Sequence, residues 1–359
     1  MPVIRNIATA VPSFAATQAE VKAVFGPLFP LSGRRLGAAM ALFDHTEIAT
    51  RHSVLSLQEI SAPRTLTQTM EVYATHARRL GEAVARDCLR GADVGADALD
   101  MMITVSCTGV MIPSLDAYLM DALGTRRDLR RLPLTELGCV GGAAAVARAF
   151  DYLRGHPRAH VLVVAVELPS LSLQRLDVSP DNLVASALFG DGAAAVLVTG
   201  DDVAPSPSSA AAAGVRIRET LCHTRPESTR ALGFDLHEDG FHAVLAKDVP
   251  ALVRADLGGL VAALAAAAGV DARALEAFVV HPGGKRILGA VEEALGLRRE
   301  QTLPSWEVLR DHGNQSSASV LFVLERWMRG HARPAAGTTG IMAAFGPGLT
   351  TELLLLEWT

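Results

Sequence analysis

Short, nearly continuous apolar runs alternate with longer amphipathic segments along this chain. The runs at 98–106 and 160–167 have the length and composition of strands that are buried on both faces of a sheet. Between them, the alanine-rich segment 143–155 predicts a helix that ends at Gly155, shortly before Pro157. Strands that alternate with helices in this way indicate an α/β protein whose sheets are mostly buried.

The second half of the chain repeats this style. The segment 275–284 predicts a strand that runs into a glycine-rich loop, 314–330 predicts a capped helix, and 340–358 predicts two strands joined by a tight Gly-Pro-Gly turn. The one clear break in composition is the Pro-, Ser- and Ala-rich stretch 200–214, which predicts a surface connection. We therefore expect two similar halves, residues 1–205 and 206–359.

Composition and charge narrow the class of protein. Half of the 359 residues are hydrophobic, and the formal net charge is −5 with no basic stripe, which argues against nucleic acid as the main partner. The most apolar long stretch, 257–270, is shorter than the roughly 20 residues that a membrane span needs, so it predicts a buried helix. The N-terminus lacks the charged segment and apolar core of a signal peptide. The four cysteines are widely spaced, which argues against a disulfide framework or a zinc site and favours a cytoplasmic setting.

Cys139 lies between glycines, at the predicted junction of a buried strand in 130–138 and the helix that follows. There the thiol would lie at a helix N-terminus, where free backbone N–H groups and the helix dipole favour a thiolate. Gly141 and Gly142 would let a ligand or another segment approach the backbone closely. Because free cysteine is among the most buried residue types, position alone leaves a packed structural cysteine as the alternative.

Two further residues could act with this thiol. His281 ends an apolar strand immediately before Pro-Gly-Gly, and loops at strand ends are where functional sites gather. Asn314 precedes a predicted helix, where N-capping is the ordinary role of asparagine. Taken together, the three residues form a complete thioester-handling set. Cysteine can carry an acyl group, histidine can stabilise the thiolate as an ion pair, and histidine and asparagine can donate hydrogen bonds to a thioester oxygen that becomes negative.

Six motifs, in order and over most of the chain, carry a resemblance to a known family. The sequence resembles type III polyketide synthases, of the chalcone and stilbene synthase superfamily, and its bacterial members in particular. The motifs are GVMIPSLDA (109–117), LGCVGGAA (137–144), ALFGDGAAA (187–195), VVHPGGKRIL (279–288), GNQSSASVLFVLE (313–325) and FGPGLTTE (345–352).

This resemblance implies a thiolase-like, five-layer αβαβα sandwich of two similar halves, and a homodimer. It implies that Cys139 takes an acyl group from a CoA thioester. His281 and Asn314 would then hold the thioester oxygen of malonyl-CoA while decarboxylation generates an enolate. Repeated extension and cyclisation would release the product, with no metal and no cofactor beyond the CoA thioesters themselves.

The resemblance also assigns residues around the cavity. Phe189 corresponds to the aromatic residue between the CoA tunnel and the cavity, where an apolar ring disfavours a malonyl carboxylate, although core packing is an alternative. Ser172 corresponds to a residue that shapes the starter site, and Ser316 to one beside the nucleophile. Cys107 stands where plant enzymes usually have a hydroxyl residue, and it either contacts the intermediate or merely packs.

Two loops and the CoA contacts complete the implied site. Gly346 and Pro347 belong to the loop that shapes the cyclisation pocket, and Ile112–Pro113 to an X–Pro step that reaches across the dimer interface. CoA phosphates need cations or backbone N–H groups, although a solvated surface charge is the alternative for each cation. The implied CoA contacts are Arg51, Gly283, Gly284, Lys285 and Arg286.

The resemblance leaves the product open. Ala344 and the segment 233–242 differ from the plant pattern, which weakens a transfer of the chalcone activity itself. We expect a fatty acyl starter and an alkylpyrone or alkylresorcinol product. The alternatives are an aromatic, tetrahydroxynaphthalene-type synthase that uses malonyl-CoA alone, a single-condensation ketoacyl synthase that uses an acyl carrier protein, and a catalytically silent binding partner.

Overall fold

The computed structural model of the chain describes residues 1–204, 214–330 and 333–359. The strands are β1 Val3–Ala10, β2 Phe14–Thr17, β3 Thr50–Ser53, β4 Met101–Val105, β5 Arg130–Leu134, β6 His160–Glu167, β7 Gly192–Thr199, β8 Val215–Thr224, β9 Leu232–His237, β10 Gly240–Leu245, β11 Ala277–Val280, β12 Thr339–Gly346 and β13 Thr350–Trp358. The α-helices are α1 Gln18–Phe25, α2 Gly33–Asp44, α3 Leu57–Ser61, α4 Leu66–Ala92, α5 Leu115–Leu123, α6 Gly141–Gly155, α7 Pro180–Leu188, α8 Val249–Ala267, α9 Lys285–Leu295, α10 Leu303–His312 and α11 Ser319–Arg329.

Nine of the described strands form one mixed sheet in the order β11–β12–β13–β8–β1–β7–β6–β4–β5. The first part of the chain supplies β5, β4, β6, β7 and β1, and the second part supplies β8, β13, β12 and β11. Among the residues that the structure describes, the two half-sheets join through two residue pairs between β1 and β8, Val3 with Arg216 and Ile4 with Val215. Such a short junction lets each half-sheet follow its own twist and face the other across a shared layer of helices.

Three apolar clusters show how the layers stack. Helices α6 and α11 contact strands of both half-sheets and form the central cluster with their inner faces. Helices α4 and α5 cover the outer face of the first half-sheet, and α8, α9 and α10 cover that of the second. The expected α/β class and the thiolase-like αβαβα arrangement of five layers are therefore confirmed.

Small residues let the central layer pack closely. Most of α6 between Gly141 and Leu153 is buried, and alanines fill much of it. A methyl group on Gly142 would lie 2.1 Å from the carbonyl oxygen of Ser317, just ahead of α11. Glycine is required at this position because any side chain would push the two central helices apart.

Two predicted elements differ from the structure. The segment 130–138 is not a buried strand: only β5 is extended, and it lies at the sheet edge with exposed arginines, paired with β4 alone among the described strands. Helix α8 begins at Val249, well before the predicted 257, and buries only one stripe that includes Val253 and Leu257. Of the helices that the structure describes, α8 alone is long and apolar enough to cross a membrane. Since its apolar stripe packs on the second half-sheet, this is weak evidence for a span.

Two other expectations concern connections. The predicted boundary between residues 205 and 206, and most of the predicted connection at 200–214, lie outside the described residues. The peptide bond between Ile112 and Pro113 is cis, and the side chain of Ile112 is almost fully exposed.

Candidate active site

Cys139, His281 and Asn314 line one cavity of about 80 Å³. Cys139 lies in a tight turn directly before α6, His281 directly follows β11, and Asn314 follows α10 by one residue. The three residues are therefore brought together from both halves of the chain, as the sequence predicts. The walls are almost wholly apolar, so charges that form inside are poorly screened by water.

The turn that presents Cys139 is fixed by glycine and proline. Gly138 has a φ of +57°, which favours glycine, and a methyl group there would lie 2.5 Å from the ring of Pro347. Pro347 itself lines the cavity. Gly346 lies behind the same turn, where a Cβ would be 2.7 Å from the carbonyl oxygen of Leu137. The predicted cyclisation loop thus also supports the nucleophile turn.

Asn314 stabilises a turn and also lines the cavity, but it is not the N-cap of α11, which is Ala318. Its Oδ1 accepts a hydrogen bond from the backbone N–H of Ser316 at 2.8 Å, which stabilises the turn that leads into α11. Its Nδ2 donates to the carbonyl oxygen of Gly283 at 3.3 Å, beside His281. These two hydrogen bonds fix the orientation of the carboxamide. The alternative that Asn314 is a helix N-cap is wrong, because the helix α11 begins five residues later and is preceded by Ala318.

His281 is held as a neutral imidazole. The residue is 2% exposed, and its Nδ1 has no hydrogen-bond partner among the described residues. Burial lowers the pKa of the imidazole to about 3. Gly283 follows closely, and a side chain there would crowd Nε2. At neutral pH the ring can therefore donate one N–H to a ligand oxygen without carrying a charge.

Burial also opposes ionisation of the nucleophile. It raises the pKa of the Cys139 thiol to about 11, although hydrogen bonds from Ser316 and Asn314 favour the thiolate. Cys139 Sγ lies 3.5 Å from Ser316 Oγ. In the free protein, burial thus favours a neutral thiol beside a neutral imidazole. The thiolate forms when His281 takes the proton, and the attraction between the two ions must then offset their desolvation.

Ser316 joins a second thiol to the first. Its backbone has a φ of 49°, and its hydroxyl lies 3.2 Å from Cys107 Sγ. Cys107 and Ser316 do not line the cavity directly but lie behind Cys139. The resemblance placed Ser316 beside the nucleophile, and the structure places it there. Burial and the nearby Glu167 raise the pKa of the Cys107 thiol well above its usual value.

Glu167 is a buried carboxyl that the sequence reasoning missed. It ends β6 and accepts hydrogen bonds from Thr108 Oγ1 at 2.7 Å, from the Cys107 N–H at 3.2 Å, and from Ser317 Oγ. Burial raises its pKa. The signal in the sequence was a single acidic residue directly after the apolar run 161–166, where a charge is unexpected unless it is partnered.

The hairpin β9–β10 supplies one side of the cavity wall. It contributes Phe234, whose ring centroid lies 6.3 Å from that of Phe189, and the segment from Ala243 to Leu245. Phe189 lines the cavity as predicted. Phe234 was missed because the segment 233–242 carries no motif and because a lone phenylalanine in a strand is ordinary core chemistry.

Ser172 does not lie in this cavity. It lines a second cavity of about 40 Å³, which shares the walls Ala185 and Phe189 with the first. Its hydroxyl donates to the carbonyl oxygen of Pro169 at 2.7 Å. Ser172 is therefore not placed to contact a small acyl group on Cys139. It lines the space behind Phe189 instead.

Arg51 is placed differently from the prediction. Its side chain is buried, and Nη1 donates to the carbonyl oxygens of Ser186 and Phe189, each at 2.8 Å. Burial lowers its pKa to about 9. The prediction that Arg51 binds a CoA phosphate is wrong for this arrangement, because the guanidinium faces the interior and holds the end of α7 against β3.

The other predicted CoA contacts follow His281 along the chain. Gly283 lines the cavity, and Gly284 has a φ of +145°, which lets the loop turn into α9. Lys285 and Arg286 open α9 at the protein surface. Their contact with CoA stays a prediction. Among the residues that the structure describes, no group of three or more His, Cys, Asp or Glu side chains could hold a metal ion.

Comparisons with known proteins identify the family of this chain. Family models for the N-terminal and C-terminal domains of chalcone and stilbene synthases match residues 40–202 and 217–358. A 1,3,6,8-tetrahydroxynaphthalene synthase of Streptomyces peucetius subsp. caesius is 37% identical over 99% of this chain and 93% of that protein. The solved structure of 1,3,6,8-tetrahydroxynaphthalene synthase from Streptomyces coelicolor, a bacterial type III polyketide synthase, matches with a TM-score of 0.92 at 32% identity, covering 100% of this chain and 99% of that one. An alpha-pyrone synthesis polyketide synthase-like protein of Mycobacterium tuberculosis is 26% identical over 99% of this chain and 91% of that protein.

A cavity that joins a buried thiol, an imidazole and a carboxamide is the site of a thioester-condensing enzyme. The chain belongs to the chalcone and stilbene synthase family. It is a type III polyketide synthase, an acyltransferase that condenses malonyl-CoA.

Proposed function

We propose that this enzyme starts from a malonyl unit, extends it with further malonyl-CoA and closes an aromatic product of the tetrahydroxynaphthalene type. The observation that carries the proposal is the small cavity of about 80 Å³ in front of Cys139, narrowed by Phe189 and Phe234. A short starter fits such a space better than a long acyl chain. The Streptomyces relatives support the same choice, since a tetrahydroxynaphthalene ring system is what successive two-carbon units give.

The chemistry begins with the acyl transfer to Cys139. His281 takes the thiol proton, the sulfur attacks the thioester carbonyl, and CoA leaves with a proton. Malonyl-CoA then binds with its thioester oxygen facing His281 and Asn314. Their N–H groups stabilise the enolate that remains when carbon dioxide departs. The enolate carbon attacks the carbonyl carbon of the acyl-cysteine, and the Cys139 thiolate leaves. The lengthened chain is then a thioester of the CoA that carried the malonyl group, and transfer to Cys139 begins the next extension.

We further propose that the reaction uses no metal or cofactor other than CoA thioesters, because amide and imidazole N–H groups can hold the enolate oxygen. A cytoplasmic location fits these substrates and the four free thiols. We also propose a homodimer. Ile112 and Val110 are exposed apolar side chains on one loop, and β5 offers an open sheet edge near them.

The test is product analysis by mass spectrometry with purified enzyme and malonyl-CoA alone. An aromatic pentaketide formed without any other acyl-CoA is the expected result. Turnover only after an acyl-CoA starter is added would refute the malonyl starter. Cys139→Ala is the matched control, and full condensation activity in this variant would refute the assigned nucleophile.

A long acyl starter is the second candidate, because of the cavity behind Phe189. That cavity is lined by Ser172 and by apolar side chains that include Val21, Phe25 and Ile60. If Phe189 turned aside, an acyl tail could extend into it. The same experiment with a panel of acyl-CoAs decides this case. An alkylpyrone that outcompetes the malonyl-only product would establish it, and a product longer by a single two-carbon unit would indicate a single-condensation synthase.

A further inference from the structure

Three charged side chains form an ion cluster on the surface beyond the cavity. Glu47 Oε1 lies 2.9 Å from Lys285 Nζ, and Glu47 also pairs with Arg299. Glu47 comes from the segment between α2 and β3, with a φ of 64°, whereas Lys285 opens α9 and Arg299 lies just ahead of α10. The cluster therefore connects the two halves of the chain.

The cluster lies within reach of the reacting centre. Lys285 is four residues after His281, so the two Cα atoms are at most about 14 Å apart. Gly283, between them, still lines the cavity that holds Cys139. A substrate whose thioester lies at Cys139 and whose arm leaves past Gly283 would bring its far end toward Lys285 and Arg299.

That far end is strongly anionic in a CoA thioester, which carries a diphosphate and a ribose phosphate. Lys285 and Arg299 are about half exposed and suit such groups. Arg299 is also preorganised, since its guanidinium stacks over the ring of Trp306 at 3.9 Å from the centroid. Glu47 occupies both cations when phosphate is absent.

We propose that Glu47 competes with the phosphates of CoA for Lys285 and Arg299, and so weakens the binding of CoA thioesters. The competition is possible because exposed ion pairs contribute little to stability and exchange readily for a more highly charged partner. On substrate binding, the two cations leave Glu47 and contact phosphate oxygens. On product release, Glu47 takes them back. The inference rests on the proposed use of CoA thioesters.

The test compares a CoA thioester with a truncated one in steady-state kinetics. Glu47→Gln keeps the shape of the side chain and removes its charge. We expect this variant to lower KM for malonyl-CoA about two- to fivefold at low salt, with kcat unchanged, which is the effect of releasing two weak, exposed ion pairs. KM for malonyl-N-acetylcysteamine, which has no phosphate, should not change. Lys285→Gln and Arg299→Gln should each raise KM for malonyl-CoA and leave that of the truncated substrate unchanged.

Glu293→Gln is the matched control, because Glu293 pairs with Arg254 on α8 in a similarly exposed bridge. It should change neither KM. An unchanged or raised KM for malonyl-CoA in Glu47→Gln would overturn the proposal, as would equal effects on both substrates. Titration calorimetry with CoA alone gives the same comparison without turnover. An enzyme that binds CoA but condenses neither substrate would instead contradict the proposed function.

Discussion

Removal of the His281 imidazole gives the sharpest test of how the nucleophile is activated. In the wild-type protein, burial raises the pKa of the Cys139 thiol to about 11. His281→Ala removes the imidazole that shares the cavity with this thiol, and we expect the pKa of the thiol to stay as high. At pH 8 the thiolate fraction is then on the order of one in a thousand, because each pH unit below the pKa is a factor of ten. Since the thiolate is the species that alkylating agents attack, reactivity follows this fraction.

The assay is the rate of iodoacetamide alkylation of Cys139 between pH 6 and pH 10, followed by mass spectrometry of the labelled peptide. A Cys222→Ser background is needed because Cys222 is an exposed thiol. In His281→Ala the rate should rise about tenfold per pH unit over the whole range, with no plateau. In the wild type, a minor fraction of the molecules holds the thiolate and imidazolium ion pair. That fraction does not change with pH because it has the same number of protons as the neutral pair, so the rate should level off at the low end of the pH range.

His281→Gln is the control for shape and hydrogen bonding. Its amide can donate to a ligand but does not accept a proton in this range, so its profile should match that of His281→Ala. Identical profiles in the wild type and both variants would refute the reasoning, because the imidazole would then have no part in ionising the thiol. A plateau near neutral pH in His281→Ala would show that burial is not what sets the pKa of Cys139.

Three further predictions concern the surroundings of the site. Glu167→Gln should reduce turnover about tenfold with little change in KM, because the Cys107 N–H loses a charge-assisted hydrogen bond. Unchanged turnover would contradict a positioning role for Glu167. Partial burial lowers the pKa of His242, but hydrogen bonds to nearby aspartates, Asp177 among them, outweigh it and the pKa is raised. Protonated His242 therefore stabilises the folded protein fully below the pKa of histidine in the unfolded chain, and this stabilisation is lost as the pH rises through the pKa of His242 in the folded protein. The melting temperature should fall between pH 5.5 and pH 8.5, and part of this fall should be absent in His242→Gln. Ile112→Asp should shift the protein toward monomer in sedimentation experiments, and an unchanged dimer would refute the proposed interface.

The catalytic set could be predicted because each of its members is placed by backbone chemistry that the sequence shows. Gly138 permits the tight turn at Cys139, and His281 follows an apolar strand directly. Asn314 taken alone favoured N-capping, and only the combination with Cys139 and His281 indicated a site role. In the structure Oδ1 accepts from the Ser316 N–H in a turn and Nδ2 donates to the Gly283 carbonyl oxygen beside His281.

The errors share a physical cause, which is that a sequence does not show the direction of a side chain. Arg51 follows a basic pattern, yet its guanidinium turns inward to two carbonyl oxygens. Segment 130–138 has enough apolar residues to predict a buried strand, yet β5 lies at the edge of the sheet. An edge strand differs from a central strand in the number of its pairing partners, and the sequence does not show those partners. Phe234 and Glu167 were missed because long-range packing, and no local motif, brings them to the site.

The charges around the cavity explain why malonyl groups should lose carbon dioxide there. The one carboxyl group that lines the cavity among the described residues is Asp181, whose Oδ2 accepts from the Leu245 N–H at 2.8 Å. No described Lys or Arg lines it, because Arg51 is turned toward backbone carbonyls. A malonyl carboxylate placed between Phe189 and Phe234 would therefore be desolvated without a counter-ion, which raises its free energy relative to neutral carbon dioxide. The thioester oxygen, in contrast, would face the N–H donors of His281 and Asn314. The cavity therefore destabilises the malonyl carboxylate and stabilises the enolate that forms when carbon dioxide leaves.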